Sequence, residues 1–150
     1  MCDRPYSSAD KFNVSCMAGL LFLLFSSPYT FSLTESVTTK FGLNIASKDG
    51  VPNLAGILLH GGAFVLLARV LMEHKRSNCM KSFTNKDLWI VALLGGLLFI
   101  LLSSPFLYET VNAFTSAFGL KTLENGDRPN LQGLVLHSVM FGLATRLLMR

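Results

Sequence analysis

Four long apolar runs, Val14–Phe25, Leu54–Met72, Leu88–Leu102 and Leu131–Met149, are almost free of charge and are separated by polar stretches rich in Ser, Thr, Lys and Gly. Crossing about 30 Å of hydrocarbon takes roughly 20 helical residues. With their apolar flanks three runs reach that length, and the first reaches it through its Ser26-Ser27-Pro28 continuation. The pattern predicts an all-α integral membrane four-helix bundle, a single membrane domain over 1–150. Composition agrees: 51% of the 150 residues are hydrophobic and 15% charged, with mean hydropathy +0.47, where a soluble domain carries about 25% charge. A soluble enzyme, a nucleic-acid-binding domain and a disordered tail are all disfavoured.

The chain also matches itself at a shift of 77 positions. Gly19-Leu20-Leu21-Phe22 falls on Gly96-Leu97-Leu98-Phe99, Ser26-Ser27-Pro28-Tyr29 on Ser103-Ser104-Pro105-Phe106, and Phe41-Gly42-Leu43 on Phe118-Gly119-Leu120. Pro52-Asn53-Leu54 falls on Pro129-Asn130-Leu131, His60 on His137, Phe64 on Phe141, Arg69 on Arg146 and Leu71-Met72 on Leu148-Met149. Between 18–72 and 95–149, 23 of 55 positions are identical without a gap. Shared hydrophobicity alone does not match Pro, His, Arg and Gly. The duplication also bears on the first run, which after Lys11 could pass for a signal peptide. Its copy is internal, and no small-x-small site follows Phe25, so it reads as a retained span.

Each copy is expected to be a two-span hairpin. The first helix should run from about Asn13 to Phe31, and again from Asp87 to Tyr108. In the connectors Leu33, Val37 and Phe41, then Val111, Phe114 and Phe118, recur at helical spacing among Ser, Thr and Lys. That pattern suggests short amphipathic helices in the membrane interface. Asp49-Gly50 and Asn125-Gly126 are turn dipeptides, and Asn53 and Asn130 stand where an N-cap belongs. Two spans per copy insert both copies in the same sense, so the halves should be parallel repeats about a pseudo-twofold axis along the membrane normal. One face would hold Arg4, Lys11, Arg69, Lys75, Arg76, Lys81, Lys86, Arg146 and Arg150; the other would hold only Lys40, Lys48, Lys121 and Arg128. That asymmetry puts both termini and the basic link 73–87 on the cytoplasmic side.

Reactive chemistry is sparse. P-loop, HExxH, GxSxG and dinucleotide patterns are missing, and no Asp or Glu lies inside a run, which disfavours proton-coupled transport through a membrane carboxylate. Three cysteines, Cys2, Cys16 and Cys79, have no paired spacing. Cys2 and Cys79 lie near boundaries and are candidates for acylation, but free thiols in a reducing compartment are the preferred reading. His60 and His137 lie about 9 Å deep at 1.5 Å per residue, level with Ser26, Ser27, Ser103 and Ser104. They could ligate a metal or haem across the pseudo-axis. The preferred reading is polar packing, each His bonded to a Ser hydroxyl or to a carbonyl freed by Pro28 or Pro105, with no cofactor. The prolines are read as fixed bends and Arg69 and Arg146 as interface anchors. Lys75, Arg76, Lys81 and Lys86 are candidate contacts for anionic lipid or an acidic partner. The pairs Ala92/Gly96 and Ser138/Gly142 allow close helix approach.

The repeated pattern Leu-Leu-Phe, Ser-Ser-Pro-[Tyr/Phe], Phe-Gly-Leu, Pro-Asn-Leu-x-Gly, His and Arg-x-Leu-Met over Gly19–Met72 and Gly96–Met149 resembles that of small membrane proteins of nucleocytoplasmic large DNA viruses. The resemblance implies a virion component embedded in an internal membrane beneath an icosahedral capsid. It carries no chemistry onto particular residues. The expectation is a structural, non-enzymatic membrane protein that anchors or shapes that bilayer. Its partners would be lipid and capsid or other virion membrane proteins, without direct nucleic-acid contact; self-association into a homo-oligomer is left open. A small ion channel or viroporin is the alternative, and a His-based metal or haem protein the third.

Overall fold

A computed structural model describes residues 7–79, 84–124 and 127–149, without the side chains of 75–79. Helix α1 (Ser8–Phe25) begins at a capping box: Ser7 Oγ accepts from Asp10 N at 3.1 Å, and the Asp10 carboxylate accepts from Ser7 N at 3.0 Å. The corresponding Thr84 and Asp87 start α4 (Asn85–Leu102) in the same way, with bonds of 3.2 and 2.9 Å. Both boxes satisfy donors that a helix start otherwise leaves free. Asn53 and Asn130 stand before α3 (Leu54–Cys79) and α6 (Leu131–Leu148), and their side-chain oxygens accept from Gly56 N and Gly133 N at 2.9 Å. Among the described residues four helices are thus long and apolar enough to cross a membrane: Ser8–Phe25, Leu54–His74, Asn85–Leu102 and Leu131–Leu148. Eighteen helical residues rise about 27 Å, close to the hydrocarbon thickness.

Two expected boundaries move. The first helix of each copy does not bend through Pro28 or Pro105 but stops at Phe25 and Leu102, and a new helix starts: α2 (Pro28–Thr38) and α5 (Pro105–Ser116). Both prolines occupy the first turn, where a missing N–H costs nothing and the fixed φ suits the helix. Ser27 and Ser104 are the N-caps. Helix α3 also continues through Cys79, past the expected end at Met72, so much of the link 73–87 is helical. Lys81 and the Asn125-Gly126 turn lie outside the described residues, as do Cys2, Arg4 and Arg150 and the side chains of Lys75, Arg76 and Cys79.

The connectors close onto the spans. After α2 a short 3-10 turn, Thr39–Phe41, ends at Gly42 with φ +76°, and Gly119 has φ +80° at the matching position. Glu35 Oε2 accepts from Ile45 N and Ala46 N at 2.6 and 2.9 Å; Asn112 Oδ1, 77 residues on, accepts from Thr122 N and Leu123 N at 2.8 and 3.2 Å. The chain then pairs briefly with itself, Ala46 with Pro52, and strand β1 (Leu123–Glu124) with β2 (Arg128–Pro129) antiparallel. Gly56 and Gly133 let these loops sit against the helix starts: a Cβ there would lie 2.2 Å from the Ile45 carbonyl oxygen and 2.3 Å from that of Thr122.

Helix packing is most extensive between α1 and α6 and between α3 and α4, and far slighter between α1 and α3 or α4 and α6. Each span therefore packs mainly on a span of the other copy. Small residues sit at both contacts. Ser138 Oγ donates to the Gly19 carbonyl at 2.7 Å, and Gly142 faces the Ser15 carbonyl oxygen. On the other pair, Gly96 faces Val65, and Gly61 faces Ile100. At the centre one Phe from each span, Phe22, Phe64, Phe99 and Phe141, forms a buried cluster. Its four ring pairs have centroids 4.9 to 5.4 Å apart, two stacked and two edge-to-face. Leu20, Leu66, Leu97 and Leu143 point outward with many other exposed apolar side chains, as suits contact with lipid tails.

The Phe cluster yields a prediction. Lipid is as apolar as a Phe ring, so truncation forfeits packing rather than transfer energy. A Phe99→Ala cavity on the order of 100 Å³, at about 24 cal/mol per Å³, costs about 2 kcal/mol. Denaturation in detergent should show a loss of that size, whereas outward Leu97→Ala changes little.

Candidate functional site

The breaks at Ser26-Ser27-Pro28 and Ser103-Ser104-Pro105 concentrate the polar groups of the spans. Ending a helix frees its last carbonyls, and inside a bilayer these need partners from the protein. Thr30 Oγ1 donates to the Leu24 carbonyl at 2.7 Å, and Ser104 Oγ donates to the matching Leu101 carbonyl at 2.8 Å. The next carbonyl in each copy is taken by a histidine from the second span. His60 Nδ1 donates to the Phe25 carbonyl at 2.8 Å, and His137 Nδ1 donates to the Leu102 carbonyl at 2.9 Å. Because a carbonyl only accepts, both Nδ1 atoms carry the proton.

An aromatic ring covers each imidazole. Phe31 stacks on His60 with centroids 4.0 Å apart and planes 17° apart, and Tyr108 stacks on His137 at 3.9 Å and 18°. Both histidines are buried, His60 at 4% and His137 at 0% exposure. Beyond this the copies differ. His60 Nε2 lies 3.2 Å from Thr34 Oγ1, whereas His137 Nε2 has no hydrogen-bond partner among the described residues. Tyr108 lies in α5, outside the four spans; burial pushes its hydroxyl pKa well up, offset in part by the nearby Ser26 side chain, so the hydroxyl stays protonated.

The serines divide into two roles. Ser27 and Ser104 cap α2 and α5, accepting from Tyr29 N at 3.3 Å and from Leu107 N at 3.4 Å. Ser26 and Ser103 are buried C-caps of α1 and α4; the Ser26 hydroxyl faces that of Tyr108, and the Ser103 hydroxyl has no partner among the described residues. The structure brings each His to a carbonyl, and neither His to a Ser hydroxyl. Of the four ring nitrogens of His60 and His137, only His137 Nε2 has no partner among the described residues, and those residues gather no set of three His, Cys, Asp or Glu.

Arg69 and Arg146 tie helix ends together. Arg69 reaches Glu73 Oε2 at 2.7 Å, bonds Asn85 Oδ1, and lies over the Trp89 ring at 5.4 Å. Arg146 donates to Ser8 Oγ at 3.1 Å. Asn85 and Ser8 are 77 residues apart, so each Arg runs from the end of one copy's second span to the start of the other copy's first. Lys86 is exposed in the first turn of α4. At the connector end Arg128 lies over the Tyr29 ring at 5.4 Å, beside an open cleft of about 400 Å³ bordered by Asp49, Asn53 and Asp127.

Sequence reasoning picked out the histidines but not their stacking partners. The available signal was repeat alignment: positions 31 and 108 are both aromatic, and 22, 64, 99 and 141 are all Phe. No protein-family model, curated protein or solved structure matches this chain.

The two His–carbonyl bonds set an expected magnitude. Polar coupling between membrane helices averages about 0.6 kcal/mol and reaches about 1.7. His137→Leu should lower stability within that range, and a His60→Leu, His137→Leu double variant should lose no bound metal relative to wild type by elemental analysis.

Proposed function

We propose that this chain is a structural, non-enzymatic multi-pass protein of a virion membrane, anchoring or shaping the bilayer beneath the capsid. The observation that carries the structural part is the interior. Four Phe rings fill the centre of the spans, the last two carbonyls of α1 and of α4 are bonded within the chain, and apolar side chains cover the outside. Such an interior suits a passive membrane body better than a conducting path, which needs a polar lining. The virion setting rests on the resemblance of the repeated motifs. On this reading the two copies are parallel hairpin repeats about an axis normal to the membrane. Recurrence of caps, breaks, His bonds and Arg ties at a spacing of 77 residues supports it. The excess of Lys and Arg at the termini and link favours cytoplasmic termini.

Docking to the capsid then falls to what lies outside the bilayer. The basic link offers attraction to an acidic patch, screened over about 8 Å at physiological ionic strength. The connectors offer exposed aromatics, Phe106, Phe114 and Phe118 in the second copy and Tyr29 and Phe41 in the first.

Two measurements test this. In a background lacking Cys16 and Cys79, Cys2 and an introduced Lys121→Cys should label from opposite sides of the membrane; labelling of both from one side contradicts the topology. Purified particles should contain the protein, with incorporation reduced when Lys75, Arg76, Lys81 and Lys86 are neutralised together. Particles without the wild-type protein, together with ion flux in liposomes, would replace the structural role by a channel.

A further inference from the structure

The two helix breaks match in every bond to the histidine except one. Thr34 and Val111 occupy the same position, 77 residues apart. Thr34 places a hydroxyl 3.2 Å from His60 Nε2, and shares that single proton with the Thr30 carbonyl at 2.9 Å. Val111 has a methyl group in place of that hydroxyl. His137 donates from Nδ1 to Leu102, so its neutral ring presents a bare lone pair at Nε2. That atom is buried and has no partner among the described residues.

Three more buried hydroxyls belong to the same region: Ser103, which has no hydrogen-bond partner among the described residues, and Ser26 and Tyr108, which face each other and make no close bond to any other group there. All are at most 4% exposed. Tyr108 stacks on His137 and lies beside Ser26, and Ser26 and Ser103 are the matching C-caps of the two breaks. Buried polar atoms without protein partners mark the places where ordered water sits. The chemistry selects water over an ion. The four groups, an imidazole and three hydroxyls, carry no charge to offset a buried cation, and an anion would face the Nε2 lone pair. Water donates to that lone pair and accepts from a hydroxyl.

We propose that a buried water molecule donates to His137 Nε2, in the place of the hydroxyl that Thr34 gives His60, and is held by hydroxyls drawn from Tyr108, Ser103 and Ser26. The inference is independent of the proposed function. It is tested with the full chain in lipid nanodiscs, with 15N-labelled histidine and water-to-ring magnetisation transfer. The wild type should show a water contact at the His137 ring and none at His60. Val111→Thr should abolish the His137 contact, and the reciprocal Thr34→Val should create one at His60. A wild-type protein with no water contact at His137, or an unchanged contact in Val111→Thr, overturns the proposal. If Val111→Thr does not fold, Thr34→Val decides, and failure to gain a contact at His60 overturns it.

Discussion

A helix that stops in the buried interior of a bundle leaves carbonyls that need donors from elsewhere in the chain, and satisfying them constrains much else in this structure. Ser-Ser-Pro ends α1 and α4 near the connector side, because proline cannot take the next backbone bond yet suits a new helix start. The carbonyls of Phe25 and Leu102 then need donors from outside their helices, and His60 and His137 supply them. Those bonds fix the depth of α3 and α6 relative to α1 and α4. They also draw Phe31 and Tyr108 over the imidazoles, which sets the faces of α2 and α5 that turn inward. The opposite faces carry Leu33 and Val37, and Phe114, outward, with Phe41 and Phe118 exposed just past the two helices.

The His bonds join the two spans of one copy, while close packing joins spans of different copies. Gly19, Ser138 and Gly142 allow α1 and α6 to approach, and Gly61 and Gly96 do so for α3 and α4. Between helices in lipid, dispersion and polar contacts replace the hydrophobic drive, so small residues and the central Phe cluster matter more than apolar area. Ring pairs of this geometry add about 0.5–1.5 kcal/mol each beyond area burial. Arg69 and Arg146 repeat the cross-copy logic at the helix ends through Asn85 and Ser8.

Much of this was legible from residues alone, because periodicity and duplication are properties of the chain. Four apolar helices, the turn at Asp49-Gly50, the Asn53 and Asn130 caps and the placement of each histidine beside its Ser-Ser-Pro segment all follow from spacing. The break at Pro28 and Pro105 was harder to read, since an apolar run continues on both sides and a kinked helix would have the same composition. The extent of α3 past Met72 was hidden because Glu73 to Cys79 is polar, and polarity argues for a loop only when no helix precedes it. Pairing between copies was not readable, since small residues signal close approach without naming the partner. Each imidazole's carbonyl partner was readable from the prolines as one of two alternatives, whereas the stacked Phe31 and Tyr108 were not, since inward and outward aromatics of a connector look alike in the sequence.

The two His–carbonyl bonds hold the rest in place, and the most direct measurement of them is the distance from each Nδ1 to its carbonyl carbon. Rotational-echo solid-state NMR on the full chain in bilayers, with labelled histidine rings and labelled Phe25 or Leu102 carbonyls, reads it. The structure predicts strong dephasing for both pairs, as N···O separations of 2.8 and 2.9 Å require, with protonated Nδ1. Dephasing lost from either pair, or an Nδ1 without a proton, would contradict the account.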